Sequence, residues 1–177
     1  MCGIAGYVGR HEPALLGRMN RAQAHRGPDG AGEWHDADAG LAHARLAILD
    51  LSPAGAQPMA DAAGRLRLTF NGEIYNYREL RLRLERRGVV FRGDSDSEVL
   101  ANLLACYGKD CLPWLNGIFA FAAWYPAERR LLLARDAAGV KPLYWADTAA
   151  GPVFASEIKA LRAAPGVDWS PDLAAVS

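Results

Sequence analysis

Short apolar runs alternate with glycine-rich breaks along this chain, and the spacing inside each run sorts it into strand or helix. CGIAGYV, at 2–8, is short, apolar and bounded by glycine, which predicts a buried strand. From 12 to 25, EPALLGRMNRAQAH places Leu15, Leu16, Met19 and Ala22 at helical spacing, and Pro13 suits a first turn. HRGPDGAG interrupts the pattern with three glycines and a proline between Arg26 and Gly32, the composition of a loop. GEWHDADAGLAHARLAILDL predicts a hairpin whose second strand ends near Asp50, and SPAGAQPM reads as irregular.

RLRLTFN, at 65–71, alternates cleanly and predicts a strand with one polar face, followed by a loop over NGEIYNY. YRELRLRLERRG carries Leu80 and Leu84 on a helix stopped by Gly88. Ser95 or Asp96 can cap a second helix, SEVLANLLACYG, with Glu98 near its positive end. GIFAFAAWY, RLLLARD and PLYWA predict three more strands, separated by PAERR and AAGVK. SEIKALRAA closes as a short helix, and APGVDWSPD reads as a linker. Hairpin-like strands with interspersed helices imply an α+β architecture built on antiparallel sheets.

Composition narrows the class. The 177 residues fit one domain, half of them apolar, and 20 basic residues balance 20 acidic ones. That balance argues against a nucleic-acid or anionic-membrane partner. The run at 117–125 is about half the ~18 residues a membrane span needs, and no charged segment leads an N-terminal apolar stretch. Cys2, Cys106 and Cys111 form no closed disulfide set and no zinc-like spacing with histidine, so a cytoplasmic protein with reduced thiols and no metal is expected.

Candidate chemistry starts at Cys2. With Met1 removed, this residue owns both a thiol and an α-amine, whose pKa of about 7.7–8.0 makes it a usable base near neutrality. Taken alone, a cysteine on a terminal strand is unremarkable in role. Arg45 alone reads as a surface charge, Asp96 as a helix cap, and Asn71-Gly72 as a turn. Their joint presence is what calls for a common explanation.

In order, MCGIAGYVG, HRGPDGAG, LAHARLAILDLSPAGAQPM, FNGEIYNYRELR, GDSDSEVL, LNGIFAFAAWY, RDAAGVKPLYW and FASEIKAL resemble the glutaminase domain of asparagine synthetases. Those domains are class II glutamine amidotransferases with an N-terminal nucleophile, of the Ntn-hydrolase fold. The resemblance implies a four-layer αββα sandwich, two antiparallel sheets between helical layers. It implies that Cys2 attacks the carboxamide of L-glutamine, releases ammonia and forms a γ-glutamyl thioester. The Asn71 amide and the Gly72 N–H would form the oxyanion hole, glycine letting the backbone approach the substrate. Arg45 would hold the α-carboxylate, and Glu73 and Asp96 the ammonium. Arg26 would order its loop over the substrate, while Arg135, Asp136, Gly139, Lys141 and Tyr144 would be architectural, with an ion pair ordering the strand end. His25 and His43 read as histidines satisfied by backbone partners.

The same resemblance sets the domain at 1–163 and a linker at 164–177, leading toward a synthetase domain in cis or in trans. ATP and Mg²⁺ are expected only in that synthetase domain, with no cofactor in this one, and the resemblance allows a homo-oligomeric full-length enzyme. Three other readings compete. One is a glutaminase serving a specialised amide-forming enzyme of secondary metabolism or polysaccharide assembly. Another is a catalytically silent regulatory version of the fold. The last is a cysteine protease pairing Cys2 with a histidine, which explains neither NGE nor HRGPD.

Overall fold

The computed structural model describes residues 1–48 and 51–170. Strands β1 (Gly3–Val8), β2 (Gly30–His35), β3 (Ala39–Arg45), β8 (Tyr144–Ala146) and β9 (Val153–Ala155) form one sheet, in the order β2-β3-β1-β9-β8. The second sheet, β4-β5-β6-β7, is built from β4 (Met59–Ala60), β5 (Arg67–Ile74), β6 (Gly117–Tyr125) and β7 (Arg130–Arg135). Every pairing within both sheets is antiparallel.

Helices close both outer faces. Leu15, Leu16 and Met19 of α1 (Ala14–Ala22) and Leu161 of α4 (Ile158–Leu161) pack on Ala5, Tyr7 and Ala42 of the first sheet. Leu80 and Leu84 of α2 (Tyr77–Glu85) and Leu100, Leu103 and Leu104 of α3 (Asp96–Tyr107) cover Leu68, Phe70 and Ile74 of the second. Between the sheets lie Leu41, Trp124 and Phe154, all essentially inaccessible to water. The result is the helix–sheet–sheet–helix stack expected of the Ntn-hydrolase fold.

The alternation of β5 has an unexpected direction. Leu68, Phe70 and Ile74 enter the helix-covered core, so the intervening Arg67, Thr69, Asn71 and Glu73 face the other sheet rather than bulk water. Thr69 Oγ1 donates across the gap to the Ala42 carbonyl at 3.0 Å. A strand's polar face has thus become an interior wall.

Several boundaries differ from the sequence reading. β3 ends at Arg45, while Asp50 lies outside the described residues. Strand structure begins at Gly30, inside the expected HRGPDGAG loop. The expected NGEIYNY loop is half strand, because Asn71–Ile74 remain in register with Gly117–Ala120 of β6. Two short strands, β4 and β9, had no counterpart in the apolar pattern. Ser95 rather than Asp96 caps α3, its Oγ accepting the Glu98 N–H at 3.2 Å.

Candidate active site

One cleft, at the end of the sandwich where β1, β3 and β5 meet the start of α3, gathers Cys2, Arg45, Asn71, Gly72, Glu73 and Asp96. The period of 2 explains the convergence. On β3, Leu41, His43 and Arg45 share one face; Cys2 precedes Ile4 on β1; Asn71 and Glu73 share the inner face of β5.

Cys2 is half buried. The Leu46 N–H donates to its sulfur at 3.4 Å, and the Leu46 carbonyl lies 3.5 Å from it. Burial is the largest influence on the thiol and lifts its pKa above the ordinary value, against the lowering effects of the Leu46 contact, the chain terminus and Arg45. A thiol so placed needs a base to become a nucleophile.

Asn71 is 2% exposed, and its Nδ2 has no hydrogen-bond partner among the described residues. A buried amide donor is seldom left unpaired, so its presence in a cleft marks a place where a ligand oxygen fits. The Gly72 N–H points the same way. Gly72 faces Phe119, whose own N–H and carbonyl bond to Asp136, so this pair exchanges no ladder bond. The Gly72 N–H therefore projects from the edge of β5 opposite β6, as do those of Phe70 and Ile74, which bond to Gln57 and Asp96. A Cβ at Gly72 would lie 2.3 Å from the Ile118 carbonyl oxygen, so close packing against β6 by itself requires glycine here.

Asp96 accepts the Ile74 N–H at 2.9 Å and the Ser97 hydroxyl at 3.4 Å. Burial first, and nearby Glu73 in addition, raise its pKa above the usual carboxylate value against those hydrogen bonds. Two neighbouring carboxylates in a buried corner favour a cationic ligand. Arg45, at the end of β3, donates from Nη2 to the Ser52 carbonyl at 2.9 Å.

Arg26 reaches the backbone of Cys2 rather than the cleft. Its Nε donates to the Cys2 carbonyl at 2.9 Å and its Nη1 pairs with Glu157 at 3.0 Å. It therefore pins the terminal strand from behind. The loop around it is pressed onto β3: a Cβ at Gly27 would sit 2.2 Å from the Ala44 carbonyl carbon, and Asp29 Oδ2 accepts the Ala47 N–H at 2.9 Å.

Among the cleft-lining residues without a site role in the sequence reading are His43, Gln57, Ser97 and Lys141. His43 faces the Phe70 carbonyl through Nε2 at 3.2 Å, so Nε2 carries the proton and Nδ1 stays bare. Burial above all, with Arg45 adding, lowers its pKa to about 4, so it is neutral and a weak base. His25 is satisfied by the Glu157 carboxylate at 2.8 Å rather than by backbone. Lys141 Nζ lies 3.3 Å from the Met1 sulfur. The expected ion pair at Asp136 is absent among the described residues; three backbone N–H groups, from Phe119, Val140 and Lys141, bind this carboxylate instead. No group of three or more His, Cys, Asp or Glu side chains that could hold a metal occurs among the described residues. None of the described helices is long and apolar enough to cross a membrane.

The sequence matches the family described as "Glutamine amidotransferase domain" over residues 1–177. It is 40% identical over 171 residues to "Asparagine synthetase [glutamine-hydrolyzing] 1" of Bacillus subtilis, covering 93% of this chain and 27% of that protein. It is 35% identical to "Amidase chry2" of Gibberella zeae, covering 92% of this chain and 26% of that one. The chain thus spans about a quarter of the length of these relatives. Among solved structures, the glutamine phosphoribosylpyrophosphate amidotransferase of B. subtilis superimposes with a TM-score of 0.78 at 22% identity, covering 94% of this chain and 44% of that one, a likeness of fold. The chain belongs to the glutamine amidotransferase domain family, in the form found at the N-terminal part of glutamine-hydrolysing asparagine synthetases.

Proposed function

We propose that this domain hydrolyses L-glutamine to glutamate and ammonia, with Cys2 as nucleophile once Met1 has been removed. The observation that carries the reading is one cleft holding the Cys2 thiol, the unpartnered Asn71 amide, the outward Gly72 N–H, a guanidinium and two carboxylates. Arg45 takes the α-carboxylate, while Asp96 and Glu73 take the ammonium, leaving the carboxamide to reach Cys2. The α-amine of Cys2 accepts the thiol proton through a bridging water. Sulfur adds to the carboxamide carbon, and the charge that develops on oxygen is met by Asn71 Nδ2 and the Gly72 N–H. The C–N bond then breaks, the proton passes to the departing ammonia, and a γ-glutamyl thioester remains. Water, deprotonated by the same amine, cleaves it to glutamate and the free thiol. His43, neutral and bonded to Phe70, stays outside this proton path.

Residues 1–163 serve as the glutaminase and 164–177 as its connection to a cytoplasmic, ATP- and Mg²⁺-using synthetase part that consumes the ammonia. The name of the B. subtilis relative favours aspartate as acceptor. The relative called an amidase supports a second reading, in which the same glutaminase feeds a different carboxylate. Glutamate release from L-glutamine tests the core of the proposal. Cys2→Ala should lower turnover by about 10³-fold or more with an unchanged circular dichroism spectrum. Appreciable residual turnover in that variant overturns it.

A further inference from the structure

The open edge of β5 is braced by side chains, and the brace brackets the segment Asn71-Gly72-Glu73. Gln57 Oε1 accepts the Phe70 N–H at 2.6 Å, and His43 Nε2 donates to the Phe70 carbonyl at 3.2 Å. Gln57 Nε2 donates to Ser97 Oγ at 3.2 Å, and the Ser97 hydroxyl donates to Asp96 Oδ1 at 3.4 Å. Asp96 Oδ2 closes the circuit on the Ile74 N–H at 2.9 Å. It begins one residue before Asn71 and ends one residue after Glu73.

Gln57 is the member that joins the two halves. It is buried, 8% exposed, and both ends of its amide are used. Its backbone is fixed too: a Cβ at Gly32 of β2 would lie 1.9 Å from the Gln57 carbonyl oxygen. β4 pairs with β5 only at Arg67 and Leu68, so beyond that point the Gln57 side chain does what a neighbouring strand would do.

We propose that Gln57 is a positioning residue for glutamine hydrolysis, tying the oxyanion donors on β5 to the ammonium-binding carboxylate at the start of α3. The inference rests on the glutaminase reading above. Substrate is gripped at both ends, so its carboxamide meets the donors only if the span between Asp96 and Asn71 is held constant. Displacements of about an ångström at such a site cost rate more than binding.

Gln57→Met removes both hydrogen bonds at similar volume, and Gln57→Glu keeps an oxygen for the Phe70 N–H. In the otherwise unaltered protein, Gln57→Met should lower kcat about tenfold or more while KM for glutamine stays within about threefold. Gln57→Glu retains that acceptor but offers Ser97 no donor, so its kcat should fall between those of Gln57→Met and wild type. Ser97→Ala, which cuts the link to Asp96 with minimal change of shape, should lower kcat about threefold or more. If Gln57→Met does not fold, Gln57→Glu and Ser97→Ala decide, each breaking the link to Asp96 and each lowering kcat about threefold or more. A Gln57→Met, Gln57→Glu or Ser97→Ala variant with wild-type kcat overturns the role. Absence of Cys2-dependent glutamine hydrolysis in the wild-type protein would instead remove the reading beneath it.

Discussion

The space between the two sheets has two ends that share strand β3. At the closed end, Leu41 of β3, Trp124 of β6 and Phe154 of β9 fill the gap with apolar volume. At the other, two to four residues further along β3, His43 and Arg45 occupy the same face, opposite Asn71 and Glu73. Register and pleat do not change between them; only residue type does. The closed end buries side chains that need nothing but neighbours, whereas the open end holds polar groups that each need a partner. Part of that need is met internally, by the Gln57–Ser97–Asp96 circuit and by the His43–Phe70 bond. The Asn71 amide and His43 Nδ1 are the buried side-chain atoms of the cleft left without a partner among the described residues.

Three changes sharpen the contrast. The largest effect belongs to the closed end, where Trp124→Ala empties a site 1% exposed and also removes a 2.8 Å bond from the indole to Asp36. It should cost about 3–5 kcal/mol of stability in denaturant unfolding, with the cleft chemistry of the remaining folded protein little altered. Asn71→Ala should do the reverse, lowering kcat by about 10²–10³-fold with a near-wild-type unfolding midpoint. Equal loss of stability in both variants would erase the distinction between the ends.

The smallest effect is a pH dependence. His43 has a folded pKa of about 4 against an ordinary value near 6.5, so the unfolded chain binds the extra proton first as pH falls. Stability should therefore decline between about pH 6.5 and 4, by up to about 3 kcal/mol from this group. His43→Gln, which keeps a donor for the Phe70 carbonyl, should flatten that decline, and unfolding curves at a series of pH values measure it. An unchanged slope would mean that burial does not hold His43 neutral.

Much of this arrangement was legible before any coordinates. The 3.6 and 2.0 periods located the helices and long strands, because each buries one face and the pattern records it. The NGE segment was not legible as strand. Asn-Gly favours turns locally, and only the long-range ladder to Ile118–Ala120 overrides that preference. Nor could alternation in RLRLTFN say which side is wet; the period marks two faces but not what lies against each. β9 spans three residues, too few for a period to register, and exists because β1 and β8 flank it. Cys2, Arg45, Asn71, Gly72, Glu73 and Asp96 were reached through the order of motifs, and the fold brings all six together. Gln57 escaped because its importance lies wholly in partners 13 and 40 positions away.

The most direct measurement is intact-mass and peptide mapping after exposure to a glutamine analogue carrying an electrophilic ketone at the γ-position. One adduct per chain is expected, on Cys2, confined to protein lacking Met1 and suppressed by excess L-glutamine. Equal labelling of chains that retain Met1, or labelling at Cys106 in place of Cys2, would contradict an N-terminal cysteine acting as the nucleophile of this cleft.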